Sequence, residues 1–113
     1  MKSEKTVELI IEALEEKKAL DIQCFDLRNR DAITDFIIIC SGNSNVHINA
    51  LKDNLCKTLT SKKIKKTSES GLAKSNWVIL DYGQFIIHIL ASEERDYYKL
   101  ESLWQGAQVV YHL

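Results

Sequence analysis

An acid and an imidazole interrupt the most apolar stretch of the chain, Trp77-Val78-Ile79-Leu80-Asp81-Tyr82-Gly83-Gln84-Phe85-Ile86-Ile87-His88-Ile89-Leu90. Two apolar runs around Tyr82-Gly83-Gln84 read as a β-hairpin. With Gly83 at the first position of a two-residue type II′ loop, Tyr82 faces Phe85, Leu80 pairs with Ile87 and Val78 with Ile89. One face is then wholly apolar. Trp77, Ile79 and Asp81 share the other with Ile86, His88 and Leu90, which makes Asp81 and His88 diagonal neighbours within reach of a direct or water-bridged hydrogen bond. Such a spot, with the Trp77 ring beside it as an anchor, could recognise a partner. The structural alternative is that Asp81 caps the turn, His88 is a satisfied half-buried histidine and Trp77 covers the sheet edge.

Other residues could do chemistry, each with a plainer explanation. Ser41-Gly42-Asn43-Ser44 lies between a buried strand and a helix, where backbone amides can cradle a phosphate. It matches neither a dinucleotide fingerprint nor a P-loop, and an N-cap and turn role explains it better. A nucleotidyl-transferring enzyme using this loop would need paired metal-binding carboxylates, and the hairpin offers Asp81 alone. Ser41 or Ser44 with His47 and Asp81 could be drawn as a hydrolytic triad, yet no nucleophile-elbow pattern accompanies them. His47, His88 and His112 are too scattered for a metal pair. Cys24, Cys40 and Cys56 have no clustered ligands and read as reduced, mostly buried thiols. Lys57, Lys62, Lys63, Lys65 and Lys66 form the basic cluster, either a solvated helix end and guarded sheet edge or a contact for RNA phosphates.

The elements that must position these groups follow from periodicity. Val7, Ile10, Ile11 and Leu14 predict an amphipathic helix over residues 6–18. A short strand is expected over residues 22–27 and a central one, apolar on both faces, over residues 36–40. A second helix buries Ile48, Leu51, Leu55 and Leu59, followed by a flexible loop over residues 68–76. Ser92 is a candidate N-cap for a third helix with Glu93 and Glu94 in its first turn, Tyr97, Leu100, Leu103 and Trp104 in its buried stripe, and Gly106 as its stop. Residues 107–113 add a final strand or docked tail. The 113 residues, 45% hydrophobic and without proline, repeat or low-complexity linker, predict one domain over 1–113, a mixed β-sheet with helices on its faces.

Fifteen basic against sixteen acidic residues argue against a wholly basic, nucleic-acid-coating surface. No apolar run is long enough to cross a bilayer, and the N-terminus enters a charged helix rich in glutamate, unlike a signal or transit peptide. A cytoplasmic location is expected.

Taken together, Asp35-Phe36, Ser41-Gly42-Asn43-Ser44 with His47 and Ala50, Trp77 to Gly83 with His88, Glu94-Arg95, Tyr97-Tyr98, Leu100-Glu101 and Leu103-Trp104 resemble the ribosomal silencing factor family, also called the Iojap family, over nearly the whole chain. The resemblance implies a nucleotidyltransferase-like α/β fold without an established catalytic role, no cofactor, and a homodimer when free. It implies a translation repressor that binds the large ribosomal subunit through large-subunit ribosomal protein fourteen and blocks joining of the small subunit when nutrients run short. It assigns partner binding to Trp77, Leu80, Asp81 and Tyr82, with His88 as structural support, and leaves Lys62, Lys63, Lys65 and Lys66 for contact with rRNA. The family usually carries an arginine where this chain has Val46 and an acid where it has Gln84. Loss of that acid leaves Asp81 to supply more of the complementarity to a basic partner. A chain without a transit peptide resembles the bacterial branch.

Overall fold

The computed structural model describes residues 2–28, 34–71, 76–98 and 108–112. In chain order these form α1 (Lys2–Glu16), β1 (Leu20–Asp26), β2 (Phe36–Gly42), α2 (Asn45–Ser61), β3 (Ser68–Ser70), β4 (Trp77–Asp81), β5 (Phe85–Ala91), α3 (Ser92–Tyr98) and β6 (Gln108–His112). The strands make one six-stranded sheet in the order β3-β4-β5-β2-β1-β6. Only the central β2–β5 pair is parallel, and the crossover joining them contains α2. The other pairs are antiparallel, which makes the sheet mixed as expected.

The unbroken run Phe36-Ile37-Ile38-Ile39-Cys40 becomes the central strand because both of its faces are covered: every residue of β2 is buried. One face carries Ile22, Cys24, Phe36, Ile38, Cys40, Val78, Leu80, Ile87 and Ile89 into a core closed by α1 and α2. Ile48, Leu51, Leu55 and Leu59 are the fully buried stripe of α2, as the 3.6-residue period requires. Each such aliphatic side chain contributes roughly 1.5–3 kcal/mol by leaving water. The other face carries a smaller cluster, Phe25, Leu27, Ile37, Ile39 and Leu90, with Trp77 and Ile86 packed at its margin.

Three local expectations change. Helix α1 begins four residues before the predicted position, at Lys2. Residues 68–70 are an edge strand and not loop: Ser68, Glu69 and Ser70 pair with Asp81, Leu80 and Ile79. All three side chains are exposed, so no apolar alternation announced a strand that the open backbone edge of β4 recruits. Gly71 ends it at φ 104°, where an added Cβ would lie 2.6 Å from the Trp77 carbonyl. Ser92 is the first residue of α3, directly after β5 ends at Ala91, and so is not a cap standing outside the helix. The expected stripe Leu100, Leu103 and Trp104 and the Gly106 stop lie outside the described residues, as does the side chain of Tyr97. The final strand forms, along β1.

Candidate recognition face on the hairpin

The hairpin register is the one the turn dictated: Val78 pairs with Ile89, Ile79 with His88, Leu80 with Ile87 and Asp81 with Ile86. Gly83 takes φ 81°, the Gln84 amide donates to the Tyr82 carbonyl at 3.0 Å, and the Tyr82 amide donates to Phe85 O at 2.8 Å. A side chain at that φ would be strained, which explains the glycine.

Asp81 and His88 do not meet as expected. Asp81 Oδ1 accepts the Gly83 amide at 2.7 Å, the Asx-type closure of the turn. His88 Nδ1 instead accepts the indole N–H of Trp77 at 3.1 Å, with the rings 6.0 Å apart and tilted by 49°. The acceptor role of Nδ1 places the imidazole proton on Nε2. Burial holds His88 neutral by pushing its pKa down to about 4. The structural alternative therefore describes Asp81 and His88, and the Trp77 ring is oriented by the histidine beneath it.

Side chains on β4 alternate between half-buried and buried, so its two faces differ sharply. Trp77, Ile79 and Asp81, with Ile86 across the hairpin, are half-buried on one face, an apolar patch around one carboxylate. Leu80 is 0% exposed and Tyr82 only 8%, both on the helix-covered face. The Tyr82 phenol is pushed well above its usual pKa, first by burial and then by a hydrogen bond with Cys56. In this conformation neither Leu80 nor Tyr82 presents its side chain to a partner docking on the Trp77 face. Ile79 and Ile86, which the sequence reading left out, do. Their signal lay in the register itself.

The lysine segment runs beside the same end of the hairpin, tied there by the Thr67 amide donating to Asp81 O at 2.7 Å. Lys57, Lys62, Lys63 and Lys65 are exposed. Lys66 is bonded to Glu69, which raises its pKa, and Lys52 also reaches Glu69 at 3.6 Å.

The 41–44 loop sits at the opposite end of the sheet from Asp81, because parallel pairing sets Phe36 beside Phe85 and Gly42 beside Ala91. The Asn43 amide and the Ser44 side chain are already engaged. The Asn43 amide donates to His47 Nδ1 at 2.9 Å, the His47 amide to Ser44 Oγ at 3.1 Å and the Ile48 amide to Ser44 O at 2.9 Å. His47 Nε2 in turn donates to Lys17 O at 2.7 Å, pinning α2 to the end of α1. Ser44 is thus the N-cap of α2, and Gly42 is required by close packing, since a Cβ there would lie 2.8 Å from Ile48 Cγ1. No Ser–His–Asp triad assembles, as Asp81 is at the far end and Ser41 is buried against Arg95.

Arg95 is the residue that sequence reasoning missed. It is 5% exposed and donates from Nη1 to Asp21 O at 2.6 Å and to Ser41 Oγ at 3.2 Å. A bulge in β1, with Asp21 at φ 48°, aims that carbonyl at the guanidinium and locks α3 onto the sheet.

The thiols of Cys24 and Cys40 are buried, and burial pushes each pKa up to about 12; Cys56 is half-buried, and all three are free. Among the described residues no group of three His, Cys, Asp or Glu side chains could hold a metal ion. No described helix is long and apolar enough to cross a membrane.

These features define a small mixed α/β domain with an aromatic, single-acid face on its hairpin. Residues 1–112 match the sequence profile described as "Ribosomal silencing factor during starvation", and the chain belongs to that family. It is 38% identical over 98 residues to a ribosomal silencing factor of Haemophilus influenzae, covering 87% of this chain and 96% of that protein. It is 31% identical over 110 residues to one of Halalkalibacterium halodurans, covering 97% and 94%. Plant proteins named Iojap also match. A crystal structure of a Chromobacterium violaceum protein superposes with a TM-score of 0.87 at 28% identity, covering 98% of this chain and 94% of that one.

Proposed function

We propose that this chain is a non-enzymatic translation repressor. It binds the large ribosomal subunit through large-subunit ribosomal protein fourteen and occludes the surface where the small subunit docks, above all under nutrient limitation. The observation that carries this reading is the half-buried face of Trp77, Ile79, Asp81 and Ile86 in a chain of the silencing-factor family. Trp77 is the apolar anchor, pre-oriented by His88, and Asp81 supplies the charge for a basic partner; among the described residues no cation pairs with it. Leu80 and Tyr82 act from beneath, holding the strand and turn that present Asp81.

Lys62, Lys63 and Lys65 flank this face and reach rRNA phosphates next to the docked protein, while Lys66 is partly occupied by Glu69. In this reading residues 1–113 act as one cytoplasmic domain on a nucleotidyltransferase-like fold, supported by the parallel strand pair crossed over by α2, and pair as a homodimer when free. Nucleotide transfer at the 41–44 loop gains no support, because the Asn43 amide is spent on the His47 ring and the Ser41 and Ser44 hydroxyls are engaged by Arg95 and the His47 amide.

Binding of purified large-subunit protein fourteen, measured by calorimetry, tests the contact. Trp77→Ala and Asp81→Arg are each expected to weaken it tenfold or more, roughly 1.4 kcal/mol. Wild-type affinity in both folded variants would refute the assignment.

A further inference from the structure

We propose that Cys56, Lys66 and Tyr82 form a thiol centre at which hydrogen peroxide oxidises Cys56 to a sulfenic acid. The three residues come from α2, from the segment entering β3 and from the hairpin turn, and they meet at the sulfur. Lys66 Nζ donates to Cys56 Sγ at 3.7 Å, and the Tyr82 hydroxyl is hydrogen-bonded with the same thiol. Cys56 is half-buried, whereas Cys24 and Cys40 are fully buried, so the chain carries its own shielded thiols for comparison.

The groups around the sulfur specify the chemistry. A thiol attacks peroxide as its anion, and cysteines that do so sit partly exposed beside a lysine or arginine. Lys66 is held charged by Glu69, which also receives Lys52 at 3.6 Å. Burial, together with the bond to Cys56, keeps the Tyr82 phenol protonated. A cation and an O–H donor thus face one sulfur, an arrangement that suits the sulfenate left by oxidation as well as the attacking anion. Cys24 lies instead against Asp26, whose charge adds to burial in pushing its pKa up to about 12.

In the reaction the Cys56 sulfur attacks one oxygen of hydrogen peroxide. The S–O bond forms as the O–O bond breaks, sulfur gives up two electrons, and the departing hydroxide takes the proton that left the thiol. Thiol and peroxide become sulfenic acid and water, with no further co-reactant. The Lys66 ammonium offsets the negative charge that passes from the sulfur to the departing oxygen.

Treatment of the full chain with hydrogen peroxide in the presence of dimedone, which traps sulfenic acids, followed by peptide mass mapping, tests the site. The adduct is expected on Cys56 and not on Cys24 or Cys40. Lys66→Gln, whose amide can keep the Glu69 bond and the fold, should slow its formation about tenfold. Lys66→Arg, which restores a cation, should recover most of the rate, and Tyr82→Phe should slow it less than Lys66→Gln. No adduct on Cys56, an equal rate at the core thiols of the wild-type chain, or an unchanged rate in folded Lys66→Gln would overturn the proposal. The reaction is read on the free chain without ribosomes, so its failure and that of the large-subunit contact are distinguishable.

Discussion

The two faces of β4 differ by one residue of register and by everything else. Val78 and Leu80 point into the core under α2, while Trp77, Ile79 and Asp81 point to a face that stays half-open. The first face can supply stability and no contact. The second is only half-buried, and among the described residues no cation pairs with its Asp81. A single short strand thus divides folding from recognition, and substitutions on alternate residues should separate the two experimentally.

The sharpest break comes from Leu80→Ala, which removes a fully buried side chain and is expected to cost about 3 kcal/mol of stability in chemical denaturation. The fraction that stays folded should bind large subunits normally. If affinity fell with stability intact, the division between faces would be wrong.

His88 lies on the Trp77 face and carries a pH signature. Its folded pKa of about 4 lies below the ordinary 6.5, so the unfolded chain binds the proton more readily. The stability His88 contributes is complete above pH 6.5 and is lost as pH falls toward 4, with a total of about 3 kcal/mol from the size of the shift. Denaturation midpoints of wild type and His88→Gln compared across that window should show the slope shrinking in the variant.

Smaller effects belong to the open face. Trp77→Phe keeps an aromatic ring but removes the indole donor to His88, and should weaken large-subunit binding several-fold, by about 1 kcal/mol. Charge reversal at Lys62, Lys63 and Lys65 should lower affinity by less at moderate ionic strength and flatten its salt dependence, as seen by repeating the binding measurement at several salt concentrations. An unchanged salt slope would remove RNA from the contact.

Much of this division was legible in the sequence. Gly83 dictated the turn, the turn dictated the register, and the register sorted every hairpin side chain onto its observed face. The 3.6-residue period of α2 and the unbroken run of β2 were equally direct. What the register left open was which diagonal His88 takes, since Trp77 and Asp81 lie on either side of its partner Ile79. Strand twist makes the two diagonals unequal, and the Gly83 amide claims Asp81, so the indole wins. Leu80 and Tyr82 entered the partner-binding set by family resemblance, although register placed them on the apolar face.

Other features left no local trace. An all-exposed triplet such as Ser68-Glu69-Ser70 becomes a strand only because β4 has a vacant edge. Arg95 reads as an ordinary helical arginine, and its burial depends on a bulge in β1 that is distant in sequence. The 41–44 loop showed its capping residues, but the orientation of the His47 ring that receives the Asn43 amide depends on the distant Lys17 carbonyl.

The most direct measurement of the central claim is a subunit-joining assay. Purified large subunits are preincubated with the protein, small subunits are added, and the products are resolved on a sucrose gradient. Wild-type protein should sediment with the large subunit and leave the two subunits apart, while Trp77→Ala should permit joining. Full joining in the presence of bound wild-type protein, or association with the small subunit alone, would contradict repression by occlusion.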